Sequence, residues 1–505
     1  MATRAVSVIA ALTVAGLVIG PVTAVILRAE AFSGFRPADW QALRFTLLQA
    51  TLSALLSVLF AIPVARALAR RRFIGRGLLV ALLGAPFILP VIVAVLGLLA
   101  VFGQSGLLNR LLAPLGLPEL QIYGLHGVLL AHVFFNLPLA TRLILQGWLA
   151  IPAEQFRLAA MLGMGRRAMW QSIEAPMLRR IVPGAFAVIF VICLSSFAVA
   201  LTLGGGPRAT TLELAIYQSM RFDFDLARAA VLGLVQLALA LTAGLIALQV
   251  TTLPIAAKGL DRQVPRWDRT DRRAICTDAV WIGFAALFLL TPLAMVTLNG
   301  LAGITTLGAS VWQAAAHSIL VALGSTALCL LWALPLATRW GEWLGLAGIA
   351  LSPLVLGIGL FLIVRPFANP FDLALYVTAT VNAFVSLPFV LRILRPEAEA
   401  IRADYTRLRK ALGLSDWAWL RWVLLPRLKR PLGFAAGLTA ALSMGDLGVI
   451  ALFADPDRAT LPLKVYQLMG AYRMEQAAGG ALLLLILSLG LFWLFDRGGR
   501  VGSLS

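Results

Sequence analysis

The chain has 505 residues, 60% of them apolar and 13% charged, with a mean hydropathy of +0.91 and a formal charge of +19. Soluble domains carry roughly a quarter charged residues, so this composition excludes a water-soluble globule and assigns most of the surface to lipid. In a soluble chain the positive charge would point to nucleic acid, but its distribution along the loops excludes that partner.

Uncharged stretches of about 18 residues or more cross a bilayer as helices, because a helix satisfies its own backbone polar groups. Twelve candidates emerge, ten uncharged and two with a single charge (Arg142, Asp446): Ala5–Leu27, Phe45–Ala65, Leu78–Phe102, Gly124–Leu145, Ile181–Leu203, Ala229–Val250, Ala279–Asn299, Ala316–Thr338, Trp343–Val364, Leu373–Leu391, Leu432–Phe453 and Ala477–Phe495. The first follows Arg4. Its apolar core is longer than the roughly 7 to 15 residues of a secretory signal, so an uncleaved anchor is expected.

Lys and Arg accumulate in cytoplasmic loops. With a cytoplasmic N-terminus, that side receives 31 of the 42 basic residues and the outer side 11. Both termini are therefore expected inside. Trp40, Trp148, Trp281, Trp340 and Trp343 fall near span ends, where amphipathic rings favour the interface.

The chain also repeats itself. Phe134–Leu143 aligns with Phe384–Ile393 at an offset of 250, which carries Gly163 onto Gly413, Pro176 onto Pro426 and Arg179-Arg180 onto Lys429-Arg430. After one deleted residue, Thr211-Leu212 falls on Thr460-Leu461 and Tyr217-Gln218 on Tyr466-Gln467. Upstream, Ile62-Pro63 matches Leu334-Pro335 at an offset of 272. These registers predict an all-α polytopic membrane protein with two homologous, parallel six-span halves: residues 1–257, a cytoplasmic linker 258–278, and residues 279–505.

Enzyme chemistry is not visible. Cys193, Cys276 and Cys329 have no ligand spacing, and His126, His132 and His317 are scattered. Phosphate-cradling and zinc-helix motifs are absent from the sequence. Asp446 is the one charged residue deep inside a predicted span. It lies fifteen residues beyond Pro431, or about 22 Å along a helix. A carboxylate at such depth is a functional candidate for a path through the membrane. Gly204, Gly205, Gly206, Thr210, Thr211, Thr460 and Leu461 belong to paired outer segments after the fifth span of each half, where an outer gate is expected.

The two longest cytoplasmic loops read IPAEQFRLAAMLGMGRRAMWQSIEAPMLRRIVPG from Ile151 and IRADYTRLRKALGLSDWAWLRWVLLPRLKRPLGF from Ile401. Each predicts a short helix, a glycine that breaks it, and a second amphipathic stretch with proline thirteen residues beyond the glycine. Two such copies suit docking into a cytosolic partner.

These loops resemble the EAA loops of ABC-importer permeases, the elements that sit on the ATPase subunits. The family pattern is kept at Ala159, Gly163 and Pro176 and at Gly413 and Pro426, with Ala160, Leu408 and Ala411 nearby. Arg157 and Arg407 stand where the family has an acid. The runs HVFFNLPLATRL, LTLGGGPRATTLELAIYQ, DFDLARAA, SMGDLGVIALF and TLPLKVYQ, with the fused layout, closely resemble the thiamine and thiamine pyrophosphate permeases of Gram-negative bacteria. Fused ferric-iron or other small-solute permeases share the layout, and a secondary transporter shares the parallel repeats. The resemblance implies a type I importer fold in the bacterial inner membrane, two copies of a cytosolic ATPase subunit that bind ATP and Mg, and a periplasmic thiamine-binding protein. It implies no cofactor or metal in this chain.

Overall fold

The computed structural model describes residues 2–30, 34–83, 88–250, 271–338, 340–342, 344–345, 351–453 and 456–500, and the regular structure among them is helical. In chain order the helices are α1 Ala2–Ala29, α2 Pro37–Arg70, α3 Arg76–Leu82, α4 Val91–Phe102, α5 Leu107–Leu112, α6 Leu125–Ala150, α7 Ala153–Met161, α8 Arg166–Met169, α9 Ala175–Leu194, α10 Ala198–Leu203, α11 Leu212–Arg221 and α12 Leu226–Val250. Then follow α13 Arg272–Gly303, α14 Ala309–Leu336, α15 Pro353–Val364, α16 Ala374–Ala411, α17 Asp416–Trp419, α18 Leu425–Met444, α19 Gly448–Leu452, α20 Leu461–Gly470 and α21 Met474–Arg500. Among the described residues eleven helical runs are long and apolar enough to cross a membrane, and Pro353–Val364 is a shorter apolar helix.

Four of the twelve expected spans are not continuous helices. The stretch Leu78–Phe102 contains α3 and then α4, which starts only after Pro90. The stretch Trp343–Val364 supplies the 12 residues of α15, with Pro353 in its first turn, while Trp343 and residues 346–350 lie outside the described residues. Proline lacks the N–H a helix interior needs and biases the residue before it toward extended backbone, so it starts helices rather than continuing them. The stretches Ile181–Leu203 and Leu432–Phe453 each end one helix and begin another, with breaks at Ser195–Phe197 and Gly445–Leu447. Residues 258–270 of the expected linker lie outside the described residues. The remaining part, 272–278, is helical, because Asp271 caps α13 by accepting from the Arg273 backbone N–H at 3.1 Å.

The first and seventh spans cross over. Helix α1 packs on α15 and α14 as well as on α12, and α13 packs on α4 and α2 as well as on α21. Accordingly Val14 and Val25 share a core with Trp332 and Leu387, while Ala285 and Leu289 share one with Ala50, Phe134 and Ile189. Glycine permits both crossings. A Cβ on Gly97 would sit 2.6 Å from the Pro292 carbonyl oxygen, and one on Gly359 would run into Pro21. At the cytoplasmic end Arg70 and Arg71 of α2 both pair with buried Asp278 of α13, Arg71 Nε at 2.6 Å. At the outer end Arg228 of α12 donates to buried Asp39 of α2 at 2.6 Å.

Candidate translocation site and cytoplasmic loops

Both cytoplasmic loops turn at glycine. After α7, Gly163 has φ +59°, and after α16, Gly413 has φ +58°. The Met164 N–H reaches back to the Ala159 carbonyl at 3.0 Å and the Gly163 N–H to Ala160 at 3.1 Å; Leu414 to Arg409 and Gly413 to Lys410 repeat the pattern at 3.1 and 3.3 Å. This paired closure satisfies the last carbonyls of a helix and requires a left-handed residue, which is why glycine stands there. A short helix, a five-residue π-helical turn (Trp170–Glu174 and Leu420–Leu424) and the next span follow, with Pro176 and Pro426 in the first turn of α9 and α18. Arg157, Ala160, Arg407, Leu408 and Ala411 are exposed, whereas Ala159 is buried. The loops differ at their entry. Ile151-Pro152 separates α6 from α7, while α16 runs unbroken for 38 residues from the span to Ala411.

Between the broken helices lies a cavity of about 400 Å³. Its wall takes Pro90, His132, Asn136, Cys193, Ser195, Ser196 and Glu213 from the N-terminal spans, and Pro353, Asn382, Ser386, Ser443, Gly445 and Asp446 from the C-terminal ones, with Phe135, Phe197 and Phe389 among the apolar lining. At offsets of 272 and 250, Ser53 corresponds to Ser325, His132 to Asn382, Cys193 to Ser443 and Ser196 to Asp446. The hydrogen bonds run differently within the two sets, through His132 in one and through Ser443, the counterpart of Cys193, in the other. His132 bridges Ser53 at 2.9 Å and Ser196 at 2.7 Å, while Ser443 accepts from Ser325 at 2.7 Å and from Asn382 at 3.0 Å.

Asp446 is not inside a continuous span as expected but in the break between α18 and α19, where Oδ1 accepts from the Gly448 N–H at 3.1 Å and Oδ2 is buried without a partner. Glu213 was absent from the residues singled out by sequence. It is 1% exposed, lines the same cavity and accepts from Gln236 Nε2 at 3.3 Å. Its counterpart after the one-residue deletion is Pro462, so the duplication that marked the surrounding Thr-Leu and Tyr-Gln pairs passed over it.

The outer segments pack directly above this cavity. Thr211 is fully buried, donates to the Ser196 carbonyl at 3.2 Å and caps α11. The Leu212 N–H donates to Thr46 at 2.8 Å, and the Leu461 N–H to Ser318 at 2.7 Å, again a matched pair. Gly205 and Gly206 take φ of +69° and +137° in the turn before it; Gly204 is buried, and Thr210 is half-buried. Thr460 is buried, with Oγ1 unpartnered. Thus Asp446 lines the cavity, Thr211 touches its wall, and Gly204, Gly205, Gly206, Thr210, Thr460 and Leu461 do not line it.

No family model matches the chain. Among curated proteins it is similar to the thiamine transport system permease protein ThiP of Brucella abortus (strain 2308), with 42% identity over 487 residues, covering 93% of this chain and 89% of the relative. The ThiP of Escherichia coli (strain K12) is 42% identical over 478 residues, with 91% and 89% covered. The ThiP of Haemophilus influenzae is 35% identical over 464 residues, with 88% and 86% covered. The chain belongs to this permease family. It is therefore a multi-pass inner-membrane permease of the ABC-transporter type, and permeases of this family generally work with ATPase and periplasmic binding subunits. Among the described residues no group of three or more His, Cys, Asp and Glu side chains forms a metal site.

Proposed function

We propose that this permease carries thiamine and its phosphate esters across the inner membrane, along a path through the central cavity. In this reading the chain is two homologous six-span halves, residues 1–257 and 279–505, with twelve spans in all. A dimer of a cytosolic ATPase subunit docks on the loops around Gly163 and Gly413, and a loaded thiamine-binding protein docks on the outer face. The observation that carries the reading is the 42% identity to thiamine permeases over 93% of the chain. The cavity supports it, because matched residues of both halves line it beside two carboxylates.

The geometry supports a mechanism for this reading. ATP binding brings the two ATPase subunits together, and the docked loops move with them. Since α9 and α18 leave the loops and end at the cavity breaks, a displacement of the loops tilts the cavity walls. The first and seventh spans, packed on opposite halves, keep the two bodies together as they rock. ATP thereby shifts the population toward the outward-open state, and hydrolysis returns it inward. Gly204, Gly205, Gly206, Thr210, Thr211, Thr460 and Leu461 act at the outer gate.

The test is reconstitution in proteoliposomes with the ATPase and binding-protein subunits. ATP-dependent accumulation of labelled thiamine is expected. Accumulation of ferric iron but not thiamine would replace this substrate assignment, and transport without the ATPase would replace the mechanism.

A further inference from the structure

Four acidic residues are buried among the described residues: Asp39, Glu174, Glu213 and Asp278. Three are held by arginine: Asp39 by Arg228, Glu174 by Arg66, and Asp278 by Arg70 and Arg71. Glu213 is the exception. Its polar neighbours are neutral: the Ser352 hydroxyl and the Gln236 amide, whose nitrogen is shared with the Leu194 carbonyl and whose Oε1 has no partner. Asp446 contributes a second carboxylate to the same cavity, with a buried and unpartnered Oδ2. Among the residues lining the cavity there is no Lys or Arg. Burying a carboxylate without a cation is costly, and elsewhere in this molecule an arginine offsets the cost.

We infer that Glu213 is a substrate-binding residue that, with Asp446, makes the central cavity a site for a flat organic monocation. The inference rests on the proposed path and adds a residue and a chemistry to it. The two carboxylates offset the cation's charge, and the aromatic residues Phe197 and Phe389 line the same space, a residue type whose rings attract cations. The thiazolium of thiamine has this chemistry. A phosphate tail finds no cationic side chain among the lining residues, so the cavity holds thiamine and its phosphate esters by the ring system they share. The carboxylate acts only while the solute is in the cavity, so its removal separates transport from ATP turnover.

The experiment uses the permease with its ATPase and binding-protein subunits in proteoliposomes, with labelled thiamine as the probe. For Glu213→Gln, thiamine accumulated per ATP hydrolysed falls about tenfold, since truncating one member of a buried charge pair has at least that effect. Glu213→Asp retains most transport. Ser196→Asp in the Glu213→Gln background restores part of it, because Ser196 occupies the place corresponding to Asp446 and lines the cavity. Rescue by a carboxylate at another position separates charge from local packing. Wild-type accumulation per ATP in Glu213→Gln overturns the inference, as does a Glu213→Gln defect that neither Glu213→Asp nor Ser196→Asp relieves. Failure of the wild-type assembly to accumulate thiamine instead overturns the substrate reading itself.

Discussion

Arg66 near the cytoplasmic end of α2 pairs with Glu174 at 2.6 Å, and this carboxylate has no solvent exposure. Trp148 Nε1 donates to the other carboxylate oxygen at 3.3 Å, and the Arg66 guanidinium lies over the Trp170 ring, 5.0 Å from its centre. The first cytoplasmic loop is thereby fastened to α2 and α6 through its π-helical turn. At the offsets of 272 and 250 the corresponding positions are Thr338 and Leu424, which cannot form such a pair. The second loop is held differently: Arg402 donates to the Ala337 carbonyl at 2.7 Å, and Arg409 pairs with Asp416 inside the loop.

This asymmetry makes a stability prediction. Arg66→Ala leaves a buried carboxylate facing Trp148 and is expected to cost about 3 to 5 kcal/mol. The double substitution Arg66→Met with Glu174→Gln removes both charges and is expected to recover most of the loss. Thermal unfolding of the purified complex in detergent checks it. Equal melting of the single and double variants would mean that the pair does not fasten the loop.

A second prediction concerns the loop turns. Because Gly163 and Gly413 have φ near +60° and a Cβ costs roughly 1 to 2 kcal/mol in that region, Gly163→Leu and Gly413→Leu should disturb the turns without affecting the spans. Membrane insertion is expected to be normal while stimulated ATP turnover is lost. Normal turnover in the double variant would remove the loops from coupling.

The positions of these turns were readable in the sequence, since glycine and proline recur in register 250 residues apart. Hydropathy located the long helices for a similar local reason: each span is one long apolar run with at most one charged residue. The breaks at Pro90, Ser195, Pro353 and Gly445 were not readable this way, because apolar content continues across them while the backbone changes direction. Glu213 was missed for a related reason. It counts as an outer-loop charge along the chain, but Thr211 and Leu212 are bonded to Ser196 and Thr46 of the spans, and this draws the start of α11 down onto the cavity. Contacts between distant segments decide that, and one sequence does not display them.

A third prediction follows from the same packing. In a background lacking native cysteine, Arg208→Cys, at an exposed position in the turn before Thr210, should react rapidly with an impermeant maleimide added from the periplasmic side. Thr460→Cys should react slowly, because Thr460 is only 4% exposed. Rapid labelling of Arg208→Cys from the cytoplasmic side alone would reverse the orientation.

The last prediction concerns Asp446, which has two separable roles. Its Oδ1 accepts the Gly448 N–H at the start of α19, a contact that shapes the break and that asparagine can also make. Its Oδ2, buried and unpartnered at the cavity wall, contributes only if charge matters there. Asp446→Asn keeps the first role and removes the second. Loss of one charged contact to a cationic solute in a poorly hydrated site is expected to lower uptake by about tenfold or more, with assembly and melting temperature unchanged. Asp446→Ala also removes the acceptor for Gly448, so it should lower stability by about 1 kcal/mol in addition. The comparison of the two variants is therefore decisive. Reduced uptake in Asp446→Asn with normal melting assigns the carboxylate to the solute, whereas wild-type uptake in Asp446→Asn combined with a melting defect in Asp446→Ala assigns it to the helix break alone.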